Sequence, residues 1–234
     1  MNLIQHLQTA VYPATGTPVI AFLGDSVTHG AFECIQGDAA GCIFDFDAVY
    51  HARLQRMLRE VNPWLPVSII NAGVAGDNAS RGLARLEADV IAHKPHVCVV
   101  CFGLNDLSGT VETYVSALEA ICLRLREAGI APVLLTPSML NTYVHPDTIP
   151  MYRDFAAVTA EWHNSGHMDV YVDAAREMAA RIRVPVADAY ARWKDMEAAG
   201  MDVTAHLANF INHPSRDLHR VFAEVLFETL KGEV

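Results

Sequence analysis

The sequence has no run of basic residues and no apolar stretch approaching the roughly 20 residues of a membrane span. Its 17 Lys and Arg are outnumbered by 27 Asp and Glu, for a formal net charge of -10. Binding to a phosphate backbone rests on clustered cations, and anionic lipid attracts polybasic segments. Nucleic acid and the membrane are therefore excluded as expected partners. The opening MNLIQHLQTAVYP lacks the basic flank and apolar core of a secretory signal, so a cytoplasmic location is expected. Cysteine is scarce: the five are odd in number and irregularly spaced, which argues against a disulfide framework. Cys98 and Cys101 lie three apart on a predicted strand and so face opposite sides. With no second Cys/His pair spaced to complete a site, no metal is expected. A phosphate loop is missing too, because LGDSVTHG has neither its glycine spacing nor its lysine.

What is present suffices for one large core. The 234 residues are 52% hydrophobic and 19% charged, an ordinary globular balance. Apolar, β-rich runs at 18–24, 66–73, 96–103, 131–137 and, weakly, 184–188 alternate with helical patterns at 46–61, 80–93 and 110–129. The second of those helices starts at a serine cap, Ser80, and the third ends at Gly129. Two more helices are expected within 150–183 and a last one from about 214 to 231. This alternation predicts βαβ units and a mostly parallel sheet covered on both faces.

Every strand but the weak last one runs into Gly, Asn, Ser or Pro, so polar residues gather at the carboxyl edge, where open α/β sheets bind ligands. FLGDSVTHG places Ser26 there, NAGVAGDNASR places Gly73, and FGLNDLSG places Asn105 and Asp106. Near the other terminus, NFINHPSRDLHRVF offers His213 before a proline expected to open the final helix at its first position. His219 falls inside that helix and reads as structural. Alone, Gly-Asp-Ser is common helix-capping chemistry, and it is not a G-x-S-x-G elbow because Thr28 stands at the second glycine.

Taken together, GDS, Gly73 in NAGVAGD, GLND at 103–106 and HPS near the carboxyl terminus resemble, in this order, the four blocks of the SGNH/GDSL hydrolase (GDSL-like lipase/acylhydrolase) family. The resemblance runs from about 18 to 228. It implies a three-layer αβα, flavodoxin-like sandwich with a five-stranded parallel sheet, forming a single hydrolase domain over 1–234. It also implies a metal-independent serine esterase that needs no cofactor and cleaves small acyl esters, acetylated sugars among them. Carried over by position, Ser26 is the nucleophile and His213 its base. The N–H groups of Ser26 and Gly73 and the side-chain amide of Asn105 form the oxyanion hole, while Asp25 and Asp106 brace turns. A serine hydroxyl needs a base to accept its proton, and the tetrahedral intermediate needs preorganised donors.

One position departs from the family pattern. An aspartate usually stands three residues before the catalytic histidine, and here that residue is Phe210. The group that orients His213 is left between a backbone carbonyl or Asn209 on one side and Asp202 on the other. The missing aspartate also supports a second reading, a non-catalytic small-ligand-binding module on the same fold. Segments 31–46 and 138–150 are expected to rim the site.

Overall fold

Continuous apolar strands need cover on both faces, and in this chain they have it. The computed structural model describes residues 7–12, 14, 16–36 and 41–232. Along the chain run β1 (Val19–Gly24), α1 (Ser26–His29), β2 (Ala31–Ile35), β3 (Gly41–Phe44), α2 (Tyr50–Val61), β4 (Ser68–Gly73), α3 (Ala79–Asp89), β5 (Val97–Cys101), α4 (Val111–Glu127), β6 (Ala131–Leu135), α5 (Arg153–Asn164), α6 (His167–Ile182), β7 (Val186–Ala187), α7 (Ala189–Ala198) and α8 (His219–Thr229). Among the described residues, β4, β1, β5, β6 and β7 form, in that order, one parallel sheet. Its central strand β5, VCVVC, is buried at every position. The edge strand β4 leaves Ser68 and Asn71 exposed.

The helices pack in two groups with the sheet between them: α2 lies against α8, while α4 contacts both α3 and α6. In α4, Tyr114, Ala117, Leu118, Ile121, Cys122 and Leu125 are buried at helical spacing, the stripe expected of a helix laid on a sheet. Thr110 caps its start by accepting from the Thr113 N–H, and Gly129 adopts φ +76° just past its end. No helix among the described residues is long and apolar enough to cross a membrane.

Several boundaries differ from the sequence pattern for identifiable reasons. The helix expected from residue 46 begins at Tyr50, because Asp45 Oδ1 accepts from the N–H groups of Asp47 and Ala48 and holds that segment as a turn. Helix α3 is capped by Asn78, whose side chain accepts from the Arg81 N–H, and Ser80 lies inside it. Pro214 does not open the last helix. It forms an antiparallel bridge with Leu207, a short 3₁₀ turn follows over Arg216–Leu218, and α8 starts at His219. Within 31–46, expected to rim the site, β2 and β3 pair as an antiparallel ladder with Cys34 opposite Cys42.

Candidate active site

The carboxyl ends of β1, β4 and β5 come into register, with Gly24 opposite both Gly73 and Cys101. A Cβ on Gly24 would collide with the Thr28 side chain and the Cys101 carbonyl, so only glycine lets the chain turn here. Asp25 then caps α1, its carboxylate accepting from the Val27 N–H at 3.0 Å. Burial raises the Asp25 pKa to about 7, against that N–H bond, which pulls it down. Ser26 opens the helix, at a position whose N–H has no intrahelical partner.

Ser26 Oγ lies 2.9 Å from His213 Nε2, and both residues are buried. The other ring nitrogen, Nδ1, lies 2.8 Å from the main-chain oxygen of Phe32 on β2. A carbonyl can only accept, so Nδ1 carries the proton and Nε2 presents its lone pair to the serine hydroxyl. Burial lowers the His213 pKa below its ordinary value, partly offset by the Phe32 carbonyl, and keeps the ring neutral and ready to accept a proton. The two residues are 187 apart in sequence.

The carboxylate expected as one candidate to orient that ring is engaged elsewhere. Asp202 accepts from the Tyr143 hydroxyl at 2.8 Å and from the Ala205 N–H, on an exposed stretch. Among the open alternatives the backbone carbonyl holds the ring, and Asn209 holds its loop. Asn209 Oδ1 accepts from the N–H groups of Ile211, Asn212 and His213 at 2.9 to 3.0 Å, and its Nδ2 donates to Asn212 Oδ1. Phe210, where the aspartate is missing, adopts φ +58° and stacks its ring on His145 at 4.1 Å between centroids. His219 plays no part at Ser26: fully buried, it accepts from the Tyr50 N–H through Nδ1.

Gly73 requires a correction. Ser68 and Val74 donate their N–H groups to Pro18 and Gly24 along β1, so the odd-numbered N–H groups of β4 point to the open edge. The Gly73 N–H accordingly goes to Asn71 Oδ1 at 3.0 Å and not towards Ser26. What demands glycine at 73 is space, since a Cβ would collide with the backbone of Thr28 and His29 in α1. The next turn, Val74–Asp77, closes through the Asp77 N–H and carries Gly76 at φ +76°. Asn105 Nδ2 donates to the Asp77 carbonyl at 2.8 Å, which leaves its second amide hydrogen available. Asp106 Oδ1 accepts from the Ala79 N–H at the start of α3, and burial raises its pKa to about 6.

Two contributors carried no recognisable signature in the sequence. Arg85 donates to the carbonyls of Gly24 and Ala72 and to the carboxylates of Asp77 and Asp89, tying the ends of β1 and β4 to α3. In the sequence only the i,i+4 spacing of Arg85 to Asp89 carries any signal. The other is the β2–β3 hairpin, which brings Phe32 and the thiols of Cys34 and Cys42 to His213. Burial and the neighbouring Cys42 push the Cys34 thiol up to about 11.

The model of the GDSL-like lipase/acylhydrolase family matches residues 22–221. The chain belongs to that family. Among curated relatives it is 32% identical over 130 residues to an acetylxylan esterase of Geobacillus stearothermophilus, covering 50% of this chain and 58% of that one. It is 27% identical over 154 residues to an uncharacterized lipoprotein of Bacillus subtilis, covering 59% of this chain and 60% of that one. The matches thus span somewhat under two thirds of each curated relative. In structure, the acetylxylan esterase superposes with a TM-score of 0.68 at 22% identity, covering 92% of this chain and 95% of that one. A lipase/acylhydrolase from Enterococcus faecalis does so with a TM-score of 0.68 at 24% identity, covering 92% and 96%. These likenesses establish the αβα GDSL fold with its five-stranded parallel sheet. Solved catalytic mutants of the Geobacillus esterase replace a serine, a histidine and an aspartate.

Proposed function

We propose that this chain is a serine esterase that removes small acyl groups, acetyl foremost, from esters of hydroxylated substrates such as sugars. The observation that carries the reading is the 2.9 Å contact between Ser26 Oγ and His213 Nε2, with Nδ1 held by Phe32 so that Nε2 is free to accept a proton. Ser26 Oγ bonds to the ester carbon while its proton passes to Nε2. The C–O bond to the alcohol then breaks, and the departing oxygen takes that proton. A water molecule repeats the sequence on the acyl-serine, releasing the acid and restoring both groups.

Negative charge on the former carbonyl oxygen is met by the Ser26 N–H, the free amide hydrogen of Asn105 and, in place of Gly73, the Gly76 N–H. Supporting that last assignment, the turn's own hydrogen bond uses the Asp77 N–H and leaves its central peptide free. The imidazolium formed in transit faces a carbonyl dipole instead of a carboxylate. A dipole stabilises the charge less, so turnover is expected to be modest while the tautomer stays correct. The similarity to an acetylxylan esterase supports the acetyl and carbohydrate preference.

The test is hydrolysis of p-nitrophenyl esters from acetate to octanoate, with labelling by a serine-directed phosphonate. The parent should prefer acetate and take up label. Ser26→Ala should lose both and keep its fold, and full activity in that variant would remove Ser26 as nucleophile. The second reading, a ligand-binding module, is favoured by one observation: the ring of His213 is held by a carbonyl and not by a carboxylate. A folded parent with neither turnover nor adduct would establish it over the esterase.

A further inference from the structure

The hairpin that orients His213 also carries two cysteines beside it. Cys34 on β2 and Cys42 on β3 are cross-strand partners, and their sulfurs stand 4.0 Å apart. The ligand atoms of Cys34, Cys42 and His213 all lie within 4.8 Å of one another. Two thiols and an imidazole make a donor set suited to a borderline-soft divalent cation. Tetrahedral zinc, with bonds of about 2.3 Å to sulfur and about 2.0 Å to nitrogen, sets sulfur–sulfur and sulfur–nitrogen separations of roughly 3.8 and 3.5 Å. The observed sulfur pair is close to that spacing already. Of the three, Cys34 also lines a cavity of about 160 Å³ together with Tyr152, Asn209 and Phe210. Asn209 Nδ2 lies 3.9 Å from Cys34 Sγ, placed to support a thiolate there as outer-shell donors do.

We propose that Cys34, Cys42 and His213 form a three-ligand site for zinc or a cation of similar softness, with water in the fourth position, and that filling it switches the Ser26–His213 pair off. Each thiol releases one proton to solvent on binding, and the ring stays neutral. Inactivation follows whichever nitrogen binds. A cation on Nε2 displaces Ser26 directly. A cation on Nδ1 breaks the bond to Phe32 and moves the ring proton to Nε2, which then faces Ser26 as a donor and cannot accept its proton. The same cation that serves as a catalytic centre in other hydrolases is here an inhibitor.

The switching half of this inference rests on the esterase reading, whereas the binding half does not, and the experiment separates them. Purified chain, kept reduced by a non-thiol phosphine, is titrated with Co²⁺ and then with Zn²⁺. The expected result is one cobalt per chain with a sulfur-to-metal charge-transfer absorption, displaced by zinc. Zinc should also lower ester hydrolysis by about 10²-fold or more, as loss of a general base does, and a chelator should restore it. Cys42→Ser and Cys34→Ser should each keep basal hydrolysis, lose the charge-transfer band and resist zinc. A parent with no thiolate band, or zinc inhibition equally strong in the parent and both variants, overturns the site. A cobalt band in a chain without hydrolysis would sink the esterase reading and leave the metal site standing.

Discussion

Asn209 fixes the histidine loop through the backbone, where the family's usual aspartate would act on the ring. Three N–H groups converge on its Oδ1. Asn209→Ala leaves buried donors unpaired at about 1–3 kcal/mol for each that finds no water, so both melting temperature and kcat should fall. Asn209→Asp keeps the acceptor and should recover much of both, and equal losses in the two variants would show that the acceptor is not what matters. Asp202→Asn should leave kcat unchanged, since its carboxylate serves Tyr143 and Ala205; a large loss would return the orienting role to it. For Asn105→Ala, a lost oxyanion donor predicts a fall in kcat of about 10²–10³ with KM little changed. A fall within threefold would reduce Asn105 to the turn contact with Asp77. Legibility at this scale depends on where the chemistry resides. The roles proposed for Ser26, His213 and Asn105 lie in their side chains, which the sequence spells out. Phe32 acts through a carbonyl that every residue possesses, and nothing in AFECI marks it. Gly73 was misread because a glycine needed for space and one needed for a donated N–H look alike until the strand's hydrogen-bonding parity is known.

Short elements that carry the site are held by contacts between elements. Helix α1 has four residues, too few to be stable alone, and owes its position to the Asp25 cap and to the close approach of β4 at Gly73. Gly73→Ala would wedge the two apart. Overpacking of this kind costs about 1–3 kcal/mol, and because Ser26 rides on α1, phosphonate labelling should slow together with a drop in melting temperature. Normal labelling with an unchanged melting point would mean that the approach is looser than the structure has it. The parallel strands were legible because strands buried on both faces are uninterrupted apolar runs, as VCVVC is. The β2–β3 hairpin was not: its strands are only five and four residues long and partly exposed. The final helix was misplaced for a related reason. Proline suits both a first helical position and a bridge that needs no donor from it, and only the pairing with Leu207 distinguishes the two.

Across the whole molecule, acid sensitivity has a contribution from buried groups whose protonation differs between folded and unfolded chains, beside that of carboxylates such as Glu33 and Asp45, which Arg216 holds below their usual range. Burial lowers the pKa of His51 to about 4 and of His219 to about 3, the latter helped by the charges of Arg53 and Arg216. Between those values and the unfolded value of about 6.5, the unfolded chain binds a proton that the folded chain refuses. The stability these histidines permit is therefore complete above pH 6.5 and is lost as the pH falls towards 3. Asp25 and Asp106 act in the opposite sense. Their folded values of about 7 and about 6 exceed 3.8, so acidification protonates the folded state first and favours it. The parent profile is consequently a partial cancellation, and one substitution should unmask it. His219→Gln offers an oxygen to the Tyr50 N–H in place of Nδ1 and removes the titrating site. Within its window a single group accounts for about 1.4 kcal/mol per pH unit, so the variant's unfolding free energy, measured in urea from pH 7 to 4, should gain on the parent's steadily as the pH drops. A constant offset between the two curves would report only the altered packing beside Tyr50, and would show that His219 is not the group whose burial sets the acid limit.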